Sequence, residues 1–114
     1  MSRTHRRNST GRQIIDMNSE TPQLALLTLE LFIPASGSLK SKRSVLKSLK
    51  DRIRGRFNAS VSEIAEQDKW QKAVLAAAIV GSGKKHVESE LAGVLALAES
   101  VHDLEVLSHR IEFL

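Results

Sequence analysis

The chain has 114 residues, 41% of them apolar and 26% charged, with no cysteine and a formal net charge of +4. That length suits one domain with a modest core and an appendage, and without thiols it excludes disulfides, thiol catalysis and thiolate metal sites. The charge is uneven: residues 40–56 hold eight cations and one acid, a local +7, while residues 57–114 hold five cations and nine acids, a local −4. A basic face on an acidic remainder is the electrostatic footprint of a polyanion binder. The competing reading is a solvated helix that keeps the protein soluble.

Residues 1–22 read as a disordered extension, with Arg3, Arg6, Arg7 and Arg12 set among Ser, Thr and Asn. Met17, immediately upstream of the folded pattern, is an alternative start. No run is apolar enough for a signal peptide or a membrane span, so the expectation is a cytoplasmic protein with no membrane partner.

The folded pattern occupies residues 23–114. Leu24 to Ile33 is almost continuously apolar and stops at Pro34, as a strand buried on both faces does. After the loop Ala35-Ser36-Gly37, Ser38 is a suitable N-cap for a basic helix reaching Arg54. Leu39, Leu46, Leu49 and Ile53 form its apolar stripe, widened by Val45, and Gly55 fits a C-terminal cap. Ala59 to Ala65 is a short mixed strand of the edge type. Glu66 to Lys69 makes a turn with Trp70 at its exit, and Ala73 to Val80 is a second wholly apolar strand. A helix beginning after Ser82 and Gly83 aligns Val87, Leu91, Val94, Leu95, Ala98 and Val101, and Leu104 to Phe113 is the last strand.

The order β-α-β-β-α-β predicts an α/β (α+β) ferredoxin-like fold, a two-layer sandwich with an antiparallel sheet of order 4-1-3-2. The two apolar strands then occupy the centre and the polar ones the edges, as the composition suggests. Taking the central strands as parallel to each other sends both helices off from the same end of the sheet. There the similar loops Gly37-Ser38-Leu39-Lys40 and Gly81-Ser82-Gly83-Lys84-Lys85 would together cradle an anion. The plainer explanation is that tight turns need glycine and serine.

The stretches LELFIPASGSLKSKRSVLKSLKDRIRGRFN, SVSEIAEQ, DKWQKA and VGSGKKHVE together resemble the YlxP-like family of small bacterial proteins of unknown function. The likeness covers residues 24–114. Its most specific parts are the Ser-Leu-Lys-x-Lys-Arg helix start and the Asp-x-Trp-Gln turn at the expected separation. It implies a ferredoxin-like fold and brings no catalytic or binding residues with it. Genes of the family commonly lie beside those for a translation initiation factor and a ribosome-binding factor, which implies work on RNA or the ribosome. The long N-terminal extension departs from the family pattern.

At about 100° per residue, Lys40, Arg43, Lys47, Lys50 and Arg54 fall within an arc of about 80° beside the apolar stripe, with no acid inside it. The strip is about 20 Å long and can track a phosphate backbone, with Lys42, Lys84 and Lys85 supplementing it at the loop end. Three cations in the first turn, Lys40, Lys42 and Arg43, oppose the helix dipole at ~0.3–1 kcal/mol each, so an anionic partner is expected: structured RNA, or alternatively an acidic protein. Trp70, the sole tryptophan, reads better as closing one end of the core than as a stacking platform. His5, His86, His102 and His109 lack metal-ligand spacing, and Glu63 and Asp68 face no nucleophile, so no metal, cofactor or catalysis is expected. Alternation along the two apolar strands leaves large apolar groups on whichever sheet face the helices do not cover, which predicts a homo-oligomer.

Overall fold

The computed structural model describes residues 22–114. The expectations for residues 1–21, including the alternative start at Met17, lie outside the described residues. The elements are β1 (Pro22–Phe32), α1 (Leu39–Arg56), β2 (Ala59–Ala65), β3 (Lys72–Ser82), α2 (Lys84–Glu99) and β4 (Glu105–Phe113). They form one four-stranded sheet of order β2-β3-β1-β4, the ferredoxin-like arrangement read from the sequence.

Burial follows the period-two alternation of the central strands. Ala25, Leu27, Leu29 and Leu31 of β1 and Ala73, Leu75, Ala77 and Ile79 of β3 are buried beneath the helices. Leu46, Leu49 and Ile53 of α1 and Val87, Leu91, Val94 and Ala98 of α2 close the core from the other side. Each large side chain so buried contributes about 1.5–3 kcal/mol. On α2 the buried set also takes in Leu97, while Leu95 is only partly buried; Val101, also partly buried, lies just beyond the helix. Between the helices Phe57 lies against Gly93, where an added Cβ would stand 2.8 Å from the ring.

One expectation about direction is overturned. β1 and β3 are antiparallel neighbours, with Pro22 opposite Ser82 and Phe32 opposite Lys72. The chain therefore leaves β1 for α1 at one end of the sheet and leaves β3 for α2 at the other. Apolar runs report burial and carry no information on direction. The two glycine-serine loops lie a whole strand length apart, so they make no shared anion cradle, and Lys84 and Lys85 are separated from the first turn of α1.

Helix boundaries shift for local reasons. The Ser38 side chain accepts a hydrogen bond from the Ser41 N–H at 3.0 Å, capping α1 as expected. Gly55 does not end the helix; α1 continues to Arg56, and the Phe57 N–H closes it on the Ile53 carbonyl at 2.9 Å. Gly83, at φ +84°, precedes α2 without a side-chain cap.

The opposite sheet face carries Leu24, Leu26, Thr28, Glu30 and Phe32 of β1 beside Val74, Ala76, Ala78 and Val80 of β3. Leu24 and Val80 are exposed, and no helix among the described residues covers this face. Phe113 does not fold over it. It pairs with Ala25 on the helix side of the sheet and packs against the core, with Lys84 Nζ 5.1 Å above its ring.

Candidate nucleic-acid interface

The site begins with the register of α1. Positions 42, 46, 49 and 53 recur at the four-three-four spacing of one helical face, and all four are buried, including Lys42 at 1% exposure. A buried ammonium is tolerated only where its donors find acceptors. Lys42 Nζ donates to the carbonyls of Glu66 at 2.6 Å and Lys69 at 2.7 Å. The Glu63 carboxylate lies 3.0 Å away as an ion pair, without hydrogen-bond alignment at that buried oxygen.

Lys42 is therefore a strut holding the β2–β3 turn against the first turn of α1. Its place among the predicted anion contacts is corrected: the ammonium points inward and is fully occupied. Glu63, read from the sequence only as one of two carboxylates that face no nucleophile, is the counterion of this lysine. Glu66 sits in the same turn at φ +64°, the left-handed region that non-glycine residues seldom adopt, and its carbonyl also accepts the Lys69 N–H at 3.1 Å. Its carbonyl is the oxygen that Lys42 grips.

The other strip residues stay on the surface. Lys40, Arg43, Lys47 and Arg54 are exposed and Lys50 is half-buried. Arg43, Lys47, Lys50 and Arg54 line a groove of about 410 Å³ between α1 and β2, with Leu46, Asp51 and Glu63 completing its walls. The acid-free arc needs correcting as well. Asp51 sits just outside it on the wheel, and its side chain reaches in, pairing with Lys47 at 2.8 Å and approaching Arg54 at 3.9 Å. The hydrogen bond from Lys47, with lesser help from neighbouring cations, holds the Asp51 carboxyl below its ordinary value. Arg54 also donates to the Val61 carbonyl at 2.7 Å. Lys40, Arg43 and Lys50 form no ion pair among the described residues.

At the far end of the sheet Lys84 sits over Phe113 and Lys85 is exposed. The structure brings neither to the α1 strip by way of the first turn. Trp70 does not close the core: it is 57% exposed. Among the described residues no three His, Asp or Glu side chains gather as a metal would require, and no helix is long and apolar enough to cross a membrane.

Comparison with known proteins agrees on kinship. A family model described as a protein of unknown function (DUF503) matches residues 24–111. The uncharacterized protein YlxP of Bacillus subtilis (strain 168) is 42% identical over 84 residues, covering 74% of this chain and 91% of that protein.

Proposed function

This chain belongs to the DUF503 family of proteins of unknown function, and we propose that it is a small non-catalytic binding protein whose first helix engages the phosphates of structured RNA, with ribosomal RNA the first target to test. The observation that carries this reading is the groove wall. Arg43, Lys47, Lys50 and Arg54 converge on it, and Lys40 extends the line toward the helix start. Lys40, Arg43 and Lys50 keep their charge free of carboxylates among the described residues. Free cations in a row are what counterion release requires, and the cost of placing Lys40 and Arg43 near the positive end of the helix dipole is offset when phosphate arrives.

The test replaces Lys40, Arg43 and Lys50 together by glutamine and measures RNA affinity across a salt series. Each phosphate contact contributes about 0.9 to the slope of log affinity against log salt for a duplex, so the triple variant should lose up to about 2.7 units while its melting curve is retained. A folded variant with unchanged affinity and slope refutes the reading.

A second reading has its own support in the open sheet face. Leu24, Leu26, Phe32, Val74 and Val80 make this face largely apolar on the central strands, interrupted by Thr28 and Glu30 of β1 and flanked by Ser60 and Ser62 of β2 and by Ser108, Arg110 and Glu112 of β4. A mostly apolar central band with polar edge strands is the kind of surface a protein partner covers. The rim carries both signs of charge, so a second copy related by a two-fold axis can meet it with opposite charges. Self-association and RNA binding use different surfaces and are compatible.

A further inference from the structure

We propose that Trp70 is a stacking platform for an unpaired base of the RNA whose phosphates lie along α1, an inference that rests on the phosphate-binding reading above and extends it. The sequence favours Trp70 as a core residue, and the structure places it on the surface, 57% exposed. The exposed indole offers a flat apolar face with a polar N–H, the geometry on which a base can stack.

The backbone on either side of Trp70 is fixed. The preceding carbonyl, that of Lys69, accepts from buried Lys42 at 2.7 Å. The following one, that of Gln71, accepts from the Ile33 N–H at 2.8 Å. The Gln71 side chain then donates to the Pro34 carbonyl at 2.9 Å, tying the segment a third time to the chain that leads into α1. An exposed ring on an anchored backbone loses less freedom on binding than one on a loose loop. Lys42 belongs to the first turn of α1, so the strut holds the turn that leads into Trp70 against the start of the basic helix, the end at which Lys40 and Arg43 also lie. Phosphate contacts along α1 and one aromatic face at its start make the usual pairing for single-stranded nucleic acid, in which an electrostatic track is joined to a stacking surface. The site favours RNA with an unpaired nucleotide next to a helical segment, because the strip alone does not distinguish paired from unpaired strands.

The sole tryptophan of the chain reports on its own occupancy. The full-length protein is titrated with a short single-stranded RNA and with the blunt duplex of the same sequence, following tryptophan emission together with an independent binding signal such as anisotropy of the labelled RNA. Single-stranded RNA should quench the emission, and Trp70→Ala should weaken single-strand binding by about 5- to 150-fold while changing duplex binding less than about twofold. Trp70→Phe should restore part of the loss. Single-strand binding with unaltered emission, and with Trp70→Ala binding as tightly as the native protein, overturns the stacking role and leaves the phosphate reading standing. Absence of binding to either RNA overturns both.

Discussion

Replacing Lys42 by methionine isolates the strut, because methionine keeps an unbranched apolar side chain in the buried channel while removing the ammonium. Two carbonyls, those of Glu66 and Lys69, lose their donor. An orphaned acceptor costs about 1–3 kcal/mol, and at a surface turn that can admit water the lower end applies, about 1 kcal/mol each. The Glu63 carboxylate loses its counterion. Stranding a buried charge costs about 3–5 kcal/mol, but at 16% side-chain exposure Glu63 can recover some hydration, leaving about 1–2 kcal/mol. The expected loss is about 3–4 kcal/mol, a large share of the ~5–15 kcal/mol available to a domain of this size. It corresponds to a fall of roughly 12–30 °C in melting temperature. Urea unfolding followed by circular dichroism measures it, since exposed Trp70 is a poor reporter of the core. In a Glu63→Gln background no charge is stranded, so the same substitution should cost about 1–2 kcal/mol less. A loss below about 1 kcal/mol for Lys42→Met, or the same loss in both backgrounds, refutes the account of the lysine as a strut.

Gly93→Ala drives a methyl into the Phe57 ring; overpacking of about 1–3 kcal/mol outweighs the ~1 kcal/mol gain in helix propensity, so a net loss near 1 kcal/mol is expected, and thermal melts should show it vanish in a Phe57→Leu background. The carboxyl of Asp51, followed by NMR, should titrate below its ordinary value of 3.8 and move back up in Lys47→Gln. Because that folded-state value is depressed, its contribution is present above the unfolded value and lost as pH falls through the folded one; the carboxyl lies on the surface, so salt should erase much of the shift. Sedimentation at micromolar concentration should show a dimer or larger assembly that Leu26→Lys dissociates; a native monomer would remove the self-association reading.

The two-layer fold was legible because burial writes itself into sequence. Burial on the helix side accounts for one face of β1 and β3. The expectation that Leu24 to Ile33 is buried on both faces fails: the other face is half-buried to exposed, with Leu24 and Val80 in water. The edges are polar because they meet water. Direction leaves no such mark, which is why the antiparallel relation of β1 and β3 and the separation of the two glycine loops came only with the register of Pro22 against Ser82. Lys42 had a readable signal that its charge concealed: it sits in phase with Leu46, Leu49 and Ile53, on the face a helix buries. Asp51 was misjudged because a wheel plots Cα positions, while ion pairing depends on the reach of side chains to the next turn. The exposure of Trp70 is set by the anchoring of residues 69 and 71 to distant segments, a tertiary fact that no local pattern contains.

The sheet has two unlike margins. Along β2 the carbonyls of Val61 and Glu63, two residues apart and so directed to the same side of the strand, are occupied by Arg54 Nη2 at 2.7 Å and Gln67 Nε2 at 3.1 Å. A strand arriving there would have to displace both side chains. The β4 margin, at the other end of the order β2-β3-β1-β4, holds no equivalent side-chain clasp among the described residues. Strand addition is thereby hindered at β2, and a sheet that can grow on one side only stops when two copies meet across that side. Open-ended filaments need a donor edge and an acceptor edge on every subunit. Arg54 and Gln67 thus guard one of the two strand edges, and any assembly through strand edges would be limited to a closed pair.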